Sequence, residues 1–193
     1  MTDTLFPPSV HTVQLLDRLG RLLHELQFVD GLNPAQWEAL RYISRANLYS
    51  RSPGALAEFL GTTRGTVSQT LISLENKGYV RRERSAADRR VVRLELTEGG
   101  AKVLEKDPMR AIEQAAACLD TATGDALRQG LNRLLCDVQG RFGLKPFGVC
   151  GECALFCSGE ADRTRTKRLM CGLTGEALEP RDIALLCVNY RAI

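Results

Sequence analysis

The stretch Thr63-Arg-Gly-Thr-Val-Ser-Gln-Thr-Leu-Ile-Ser-Leu-Glu-Asn-Lys-Gly-Tyr-Val-Arg-Arg-Glu-Arg84 decides how the rest of the chain is read. Thr63, or Thr62 before it, can cap a helix. Val67, Leu71 and Leu74, followed by Tyr79, fall on one face and point to a core, while Arg64, Thr66, Gln69, Ser73 and Asn76 lie away from it. Gly78 ends the helix, because glycine accepts the left-handed backbone a helix stop requires. The segments Tyr79-Val-Arg-Arg-Glu-Arg and Val91-Val-Arg-Leu-Glu-Leu alternate as strands do. The loop between them, Ser85-Ala-Ala-Asp-Arg-Arg, is too long for a two-residue turn and carries charge at its tip. A polar helix face beside an arginine-rich hairpin suits duplex DNA. One element enters the major groove and the other grips the adjacent backbone.

Working upstream, Ser52 caps a short helix that begins at Pro53 and buries Ala55, Leu56, Phe59 and Leu60 before Gly61 breaks it. Asn33-Pro34 opens the helix before that, with Trp37 as a core residue. Ser9 to Val29 is one long helix whose stripe is Val13, Leu16, Leu19, Leu23 and Leu26. Downstream, Thr97 caps a helix through Glu98, Gly99 and Gly100, and Asp107-Pro108 interrupts it. Two amphipathic helices follow, over residues 107–119 and 123–142. Leu127, Leu131, Leu134, Leu135 and Val138 form the stripe of the second. The fold class is mainly α (α+β): a winged helix-turn-helix with long flanking amphipathic helices and a small Cys-rich C-terminal appendage.

The chain has 193 residues and a formal net charge of only +3. Residues 62–97 hold eight basic and four acidic side chains, so this segment alone is more basic than the whole. A basic patch on a near-neutral body suits a polyanion, although a merely solvated charged face has the same composition. No apolar run is long enough to cross a membrane, and the start, Met1-Thr-Asp-Thr-Leu-Phe-Pro-Pro, lacks the pattern of a secretory signal. The expected location is the cytoplasm.

Residues 9–143 resemble the MarR family of bacterial winged helix-turn-helix regulators. The resemblance rests on Leu32-Asn-Pro-Ala-Gln-Trp-Glu-Ala-Leu-Arg-Tyr-Ile, Leu56-Ala-Glu-Phe-Leu-Gly, Val67 through Val80, and Asp88-Arg-Arg-Val-Val-Arg-Leu-Glu-Leu-Thr. It implies a homodimer joined through its terminal helices, a pseudo-palindromic operator, usually repression, and release by a small-molecule effector or an oxidant. The two apolar stripes agree, since a lone subunit would struggle to cover them. On that reading Arg64, Thr66 and Gln69 address base edges, and Thr63 and Ser68 address phosphate. Arg90 works at the wing, oriented by Asp88, with Arg84 and Arg89 beside it. The alternative for Asp88 and Arg90 is an ordinary surface ion pair.

Beyond Lys145-Pro146-Phe147-Gly148 the composition shifts to cysteine and glycine, which divides the chain into residues 1–146 and a cysteine-rich metal-binding domain over 147–193. Disulfides are disfavoured in a reducing cytosol, so clustered cysteines point to metal or redox chemistry. Cys150 and Cys153 are spaced to close on one ion, and Cys171 and Cys187 can complete a tetrahedron. The tail also resembles a cysteine-rich extension found on some regulators of the family, in which the pair and two later cysteines recur. Cys157 is either an alternative fourth ligand or a small core residue. Zinc is the first choice of cofactor, and an iron–sulfur cluster the alternative, favoured by the run Cys-x2-Cys-x3-Cys. Oxidant-sensing thiols without metal are a third reading. Cys118 and Cys136 sit at apolar helical positions and are expected to be buried. The expected function is a DNA-binding transcriptional regulator, not an enzyme. The alternatives are a small thiol oxidoreductase using Cys150 and Cys153, for which no βαβ pattern is present, or a protein-interaction module.

Overall fold

The computed structural model describes residues 7–84, 92–159 and 168–192. Helix α1 (Pro8–Leu26) leads into α2 (Pro34–Arg45), α3 (Pro53–Phe59) and α4 (Arg64–Asn76). A hairpin of β1 (Val80–Arg84) and β2 (Val92–Leu96) follows, then α5 (Glu98–Leu104), α6 (Met109–Ala117) and α7 (Thr121–Phe142). The tail contributes β3 (Gly148–Val149), β4 (Phe156–Gly159), β5 (Arg168–Cys171) and β6 (Leu186–Cys187).

Side-chain caps set most of the helix starts. Ser52, Thr63, Thr97 and Asp120 each accept the backbone N–H three residues on, which satisfies a donor the helix cannot. At α2 the cap is reciprocal. Asn33 Oδ1 accepts from the Gln36 N–H at 3.0 Å, and Gln36 Oε1 accepts from the Asn33 N–H at 3.2 Å. The same Gln36 donates through Nε2 to Ser73 Oγ at 2.8 Å, which ties α2 to α4. Ser73 is therefore half-buried and structural, where the helical pattern set it away from the core.

The core lies among α2, α3, α4 and the hairpin. Trp37, Tyr42, Leu40, Ile43, Leu56, Leu71, Leu74 and Leu94 are fully buried there. Strands β1 and β2 pair antiparallel from Val80↔Leu96 to Arg84↔Val92. Helix α5 packs close on that hairpin because residue 100 is glycine. A Cβ at Gly100 would lie 2.1 Å from the Tyr79 carbonyl oxygen. Phe59 departs from its expected burial and is 38% exposed. Its ring fills a surface gap between Tyr42 and Phe147, at centroid distances of 4.8 and 5.1 Å.

Helices α1, α6 and α7 bury none of their own side chains. Their apolar stripes stand open, with Val13, Leu19, Leu26, Leu131 and Leu135 among the exposed residues. Cys118 and Cys136 are exposed too, contrary to expectation, because no element among the described residues covers the helical surfaces that carry them. One polar knot joins this helical arm to the core. Arg41 Nη1 donates to Asp107 Oδ1 at 2.9 Å, Arg41 Nη2 donates to Gln27 Oε1, and Asp107 Oδ1 also accepts the Met109 N–H that starts α6. No helix among the described residues is long and apolar enough to cross a membrane.

Candidate functional site

The outer face of α4 carries the groups the sequence assigned to DNA. Arg64, Thr66 and Gln69 are exposed, and Ser68 is half-buried. Thr63 is exposed as well, but its hydroxyl already accepts the Thr66 N–H at 3.1 Å and contacts Thr66 Oγ1 at 2.9 Å. These two threonines set the first turn of α4, which leaves Arg64 and Gln69 as the outward polar groups of greatest reach.

The hairpin's arginines divide by position. Arg81 lies between Glu83 at 2.9 Å and Glu95 at 2.7 Å, and Arg82 reaches Glu75 of α4 at 3.4 Å. Arg81 is held within the hairpin, and Arg82 ties the hairpin to α4. Among the described residues no carboxylate pairs with Arg64, Arg84 or Arg93. Asp88, Arg89 and Arg90 lie outside the described residues.

The tail packs directly on this unit. Strand β6 pairs antiparallel with β3 and, on its other side, forms a parallel bridge between Leu186 and Ala46 at the end of α2. The Asn47 N–H donates to the Leu186 carbonyl at 2.8 Å, and the Val188 N–H donates to Ser50 Oγ at 2.8 Å. Val188 packs on the hydrophobic core. Lys145 Nζ pairs with Glu58 of α3 at 2.8 Å.

Cys150, Cys153, Cys171 and Cys187 line one cavity of about 20 Å³, together with Asn47 and Tyr49 of the winged-helix unit. Cys157 is exposed and does not line it; it sits on β4 opposite Met170. All seven cysteines are free thiols. Among the described residues no three ligating side chains are drawn together as a formed metal centre. Several N–H groups nonetheless aim at the sulfurs. Asn47 Nδ2 donates to Cys150 Sγ at 3.6 Å, and the Arg191 N–H donates to Cys153 Sγ at 3.4 Å. Burial pushes the Cys150 thiol up to about 11, against the Asn47 bond and with Cys187 and Cys171 adding to the rise. Burial also opposes ionisation of Cys171, but the N–H and hydroxyl of Thr174 and the Leu173 N–H outweigh it and bring that thiol below its usual value. The donor set fits a closed tetrahedral thiolate site.

Residues 30–91 match a family model described as MarR family. A solved structure of a mutant MepR from S. aureus superposes with a TM-score of 0.56 at 22% identity, covering 69% of this chain and 100% of that one. The fold is that of the MarR regulators. The S. aureus MepR–DNA complex gives a TM-score of 0.54 at 22% identity, over 69% of this chain and 99% of that one. Among curated proteins, the transcriptional repressor MprA of Escherichia coli is 28% identical over 125 residues, which is 63% of this chain and 69% of MprA. The MarR match runs from the turn before α2 into the wing, so the cysteine tail lies wholly beyond it.

Sequence reasoning missed the contacts that fix the site rather than the site itself. Asn33-Pro-Ala-Gln36 carries the capping-box spacing, so the cap was legible, but the onward bond to Ser73 was not. Nothing in Asn47 or Ser50 signals that they bond Leu186 and Val188 of the tail.

Proposed function

We propose that this chain is a sequence-specific DNA-binding transcriptional regulator that works as a homodimer. The observation that carries the reading is the exposed Arg64–Gln69 face of α4 beside the cationic hairpin, on a MarR-type fold. Its relatives support it: MprA is a transcriptional repressor, and MepR has been solved on DNA. Repression is the direction those relatives favour, and release would come from a small ligand or from a change at the tail. The open stripes of α1 and α7 are the surfaces a second copy would cover, which would space two α4 helices for successive turns of the groove. In this reading Cys150, Cys153, Cys171 and Cys187 hold one zinc ion, whose chemistry is structural: four thiolates gathered on a dication, with binding energy that serves as folding energy for the tail. An iron–sulfur cluster, which also takes four cysteines, is the second reading.

Anisotropy titrations on duplex from upstream of its own gene test the DNA role. Arg64→Ala should lose about 1–3 kcal/mol and relax sequence preference, as expected for an arginine on a guanine edge. Arg84→Ala should weaken all sequences alike and reduce the salt slope by about 1. Parent-like binding by both variants overturns these roles. Cys153→Ser should abolish stoichiometric zinc, and unchanged metal content removes that cysteine from the ligand set.

A further inference from the structure

The four-cysteine cavity is not walled by the tail alone. Asn47, 3% exposed, belongs to the turn that joins α2 to α3, and it is hydrogen-bonded in both directions. Its Nδ2 donates to Cys150 Sγ, and its Oδ1 accepts from the Ser50 hydroxyl at 2.6 Å and the Ser50 N–H at 3.0 Å. Ser50, fully buried, in turn accepts the Val188 N–H from the tail and, through its carbonyl, the Tyr42 hydroxyl at 2.7 Å. The next carbonyl, that of Arg51, accepts the Leu94 N–H of β2 at 2.7 Å, and Ser52 caps α3. One short turn, buried at Asn47 and Ser50, therefore touches the cavity, the tail strand, the wing and the helix that precedes α4.

We propose that the cysteine site and the DNA-reading unit are thermodynamically linked through Asn47 and Ser50, so that a soft dication held by the four cysteines strengthens DNA binding and bound DNA tightens the dication. The inference rests on the zinc reading of the tail. A metal-bound thiolate is a charged acceptor, and a hydrogen bond to it is roughly twice as strong as one to a neutral group. Filling the cavity therefore strengthens the Asn47–Cys150 bond and fixes β6 against Ala46 and Ser50. Emptying it weakens both anchors of the turn. This difference between the two states of the turn is what a linked equilibrium requires. Buried polar networks of this kind are sensitive to partial loss, because an unpaired member is costly in a low-dielectric interior.

The test uses the full chain, zinc(II) and upstream duplex DNA. DNA affinity is measured with zinc and after chelation, and zinc affinity with and without DNA. The two ratios should be equal, in the range of about 5–150-fold typical of such coupling. Ser50→Ala keeps every cysteine and every assigned DNA contact. It should bind zinc and DNA separately while the ratio falls toward one. Amide exchange of the unaltered chain is the variant-free check: zinc should slow exchange at Asn47, Leu94 and Val188. Stoichiometric zinc with DNA affinity indifferent to it, or protection confined to residues beyond 147, overturns the linkage and leaves the zinc site standing. No zinc uptake at all overturns both.

Discussion

Two helical regions of this chain follow opposite packing rules. Helices α2, α3 and α4 each turn an apolar face inward and bury its centre, on Trp37, Leu40, Leu56, Leu71 and Leu74. Helices α1, α6 and α7 have equally regular stripes and bury nothing. Periodicity alone does not separate these cases, because it reports that a face will be covered and not by what. In the winged-helix core the cover is the same chain. For the arm the proposed cover is a second copy.

Substitutions can break that contrast, and the largest expected effect is in the core. Trp37→Ala should lower stability by about 3–5 kcal/mol in chemical denaturation. The indole Nε1 has no hydrogen-bond partner among the described residues, so Trp37→Phe should cost much less, since it strands no polar partner. Next comes the knot between the regions. Asp107→Ala should cost about 3 kcal/mol by leaving Arg41 charged and nearly enclosed, and should free the start of α6. A smaller thermodynamic effect, but the more telling one, is expected on the arm. Leu131→Glu on α7 should leave the core's unfolding intact while shifting the sedimentation of the assembly toward single subunits. The scale is about 1.5–3 kcal/mol for covering one leucine. A chain that sediments as one subunit before any substitution removes the proposed cover altogether. The smallest effect belongs to Gln36→Ala, at about 1 kcal/mol, through loss of the acceptor for the Asn33 N–H and of the bond to Ser73, while Asn33 still caps the helix.

The elements that local chemistry specifies were legible before any coordinates. Thr63, Thr97, Gly78 and the Asn33-Pro34 pair mark boundaries by chemistry that acts within one turn, and they stand where the sequence set them. The exposed polar face of α4 was equally plain, since Val67, Leu71 and Leu74 fix its opposite side. What was hidden depends on distant partners. Phe59 reads as core until Phe147 arrives from 88 residues away to shelter it at the surface. Ser73 reads as solvent-facing until Gln36 reaches it. Among the cysteines, Cys150, Cys153, Cys171 and Cys187 line one cavity and Cys157 lies outside it, but among the described residues no three ligating side chains are gathered as a metal centre. Which side chain of the winged helix would share that cavity had no local signature at all.

The short strand Leu186–Cys187 has a consequence for anyone trimming this protein. It is flanked on one side by Gly148–Val149 and on the other by Ala46, so it acts as a wedge between the appendage and the domain it follows. A chain cut at the compositional boundary would strip the Asn47 N–H of its acceptor, remove the Val188 N–H from the Ser50 hydroxyl and uncover core surface beneath Val188. The shortened protein would be a damaged version of the winged helix and a poor stand-in for it in any DNA titration.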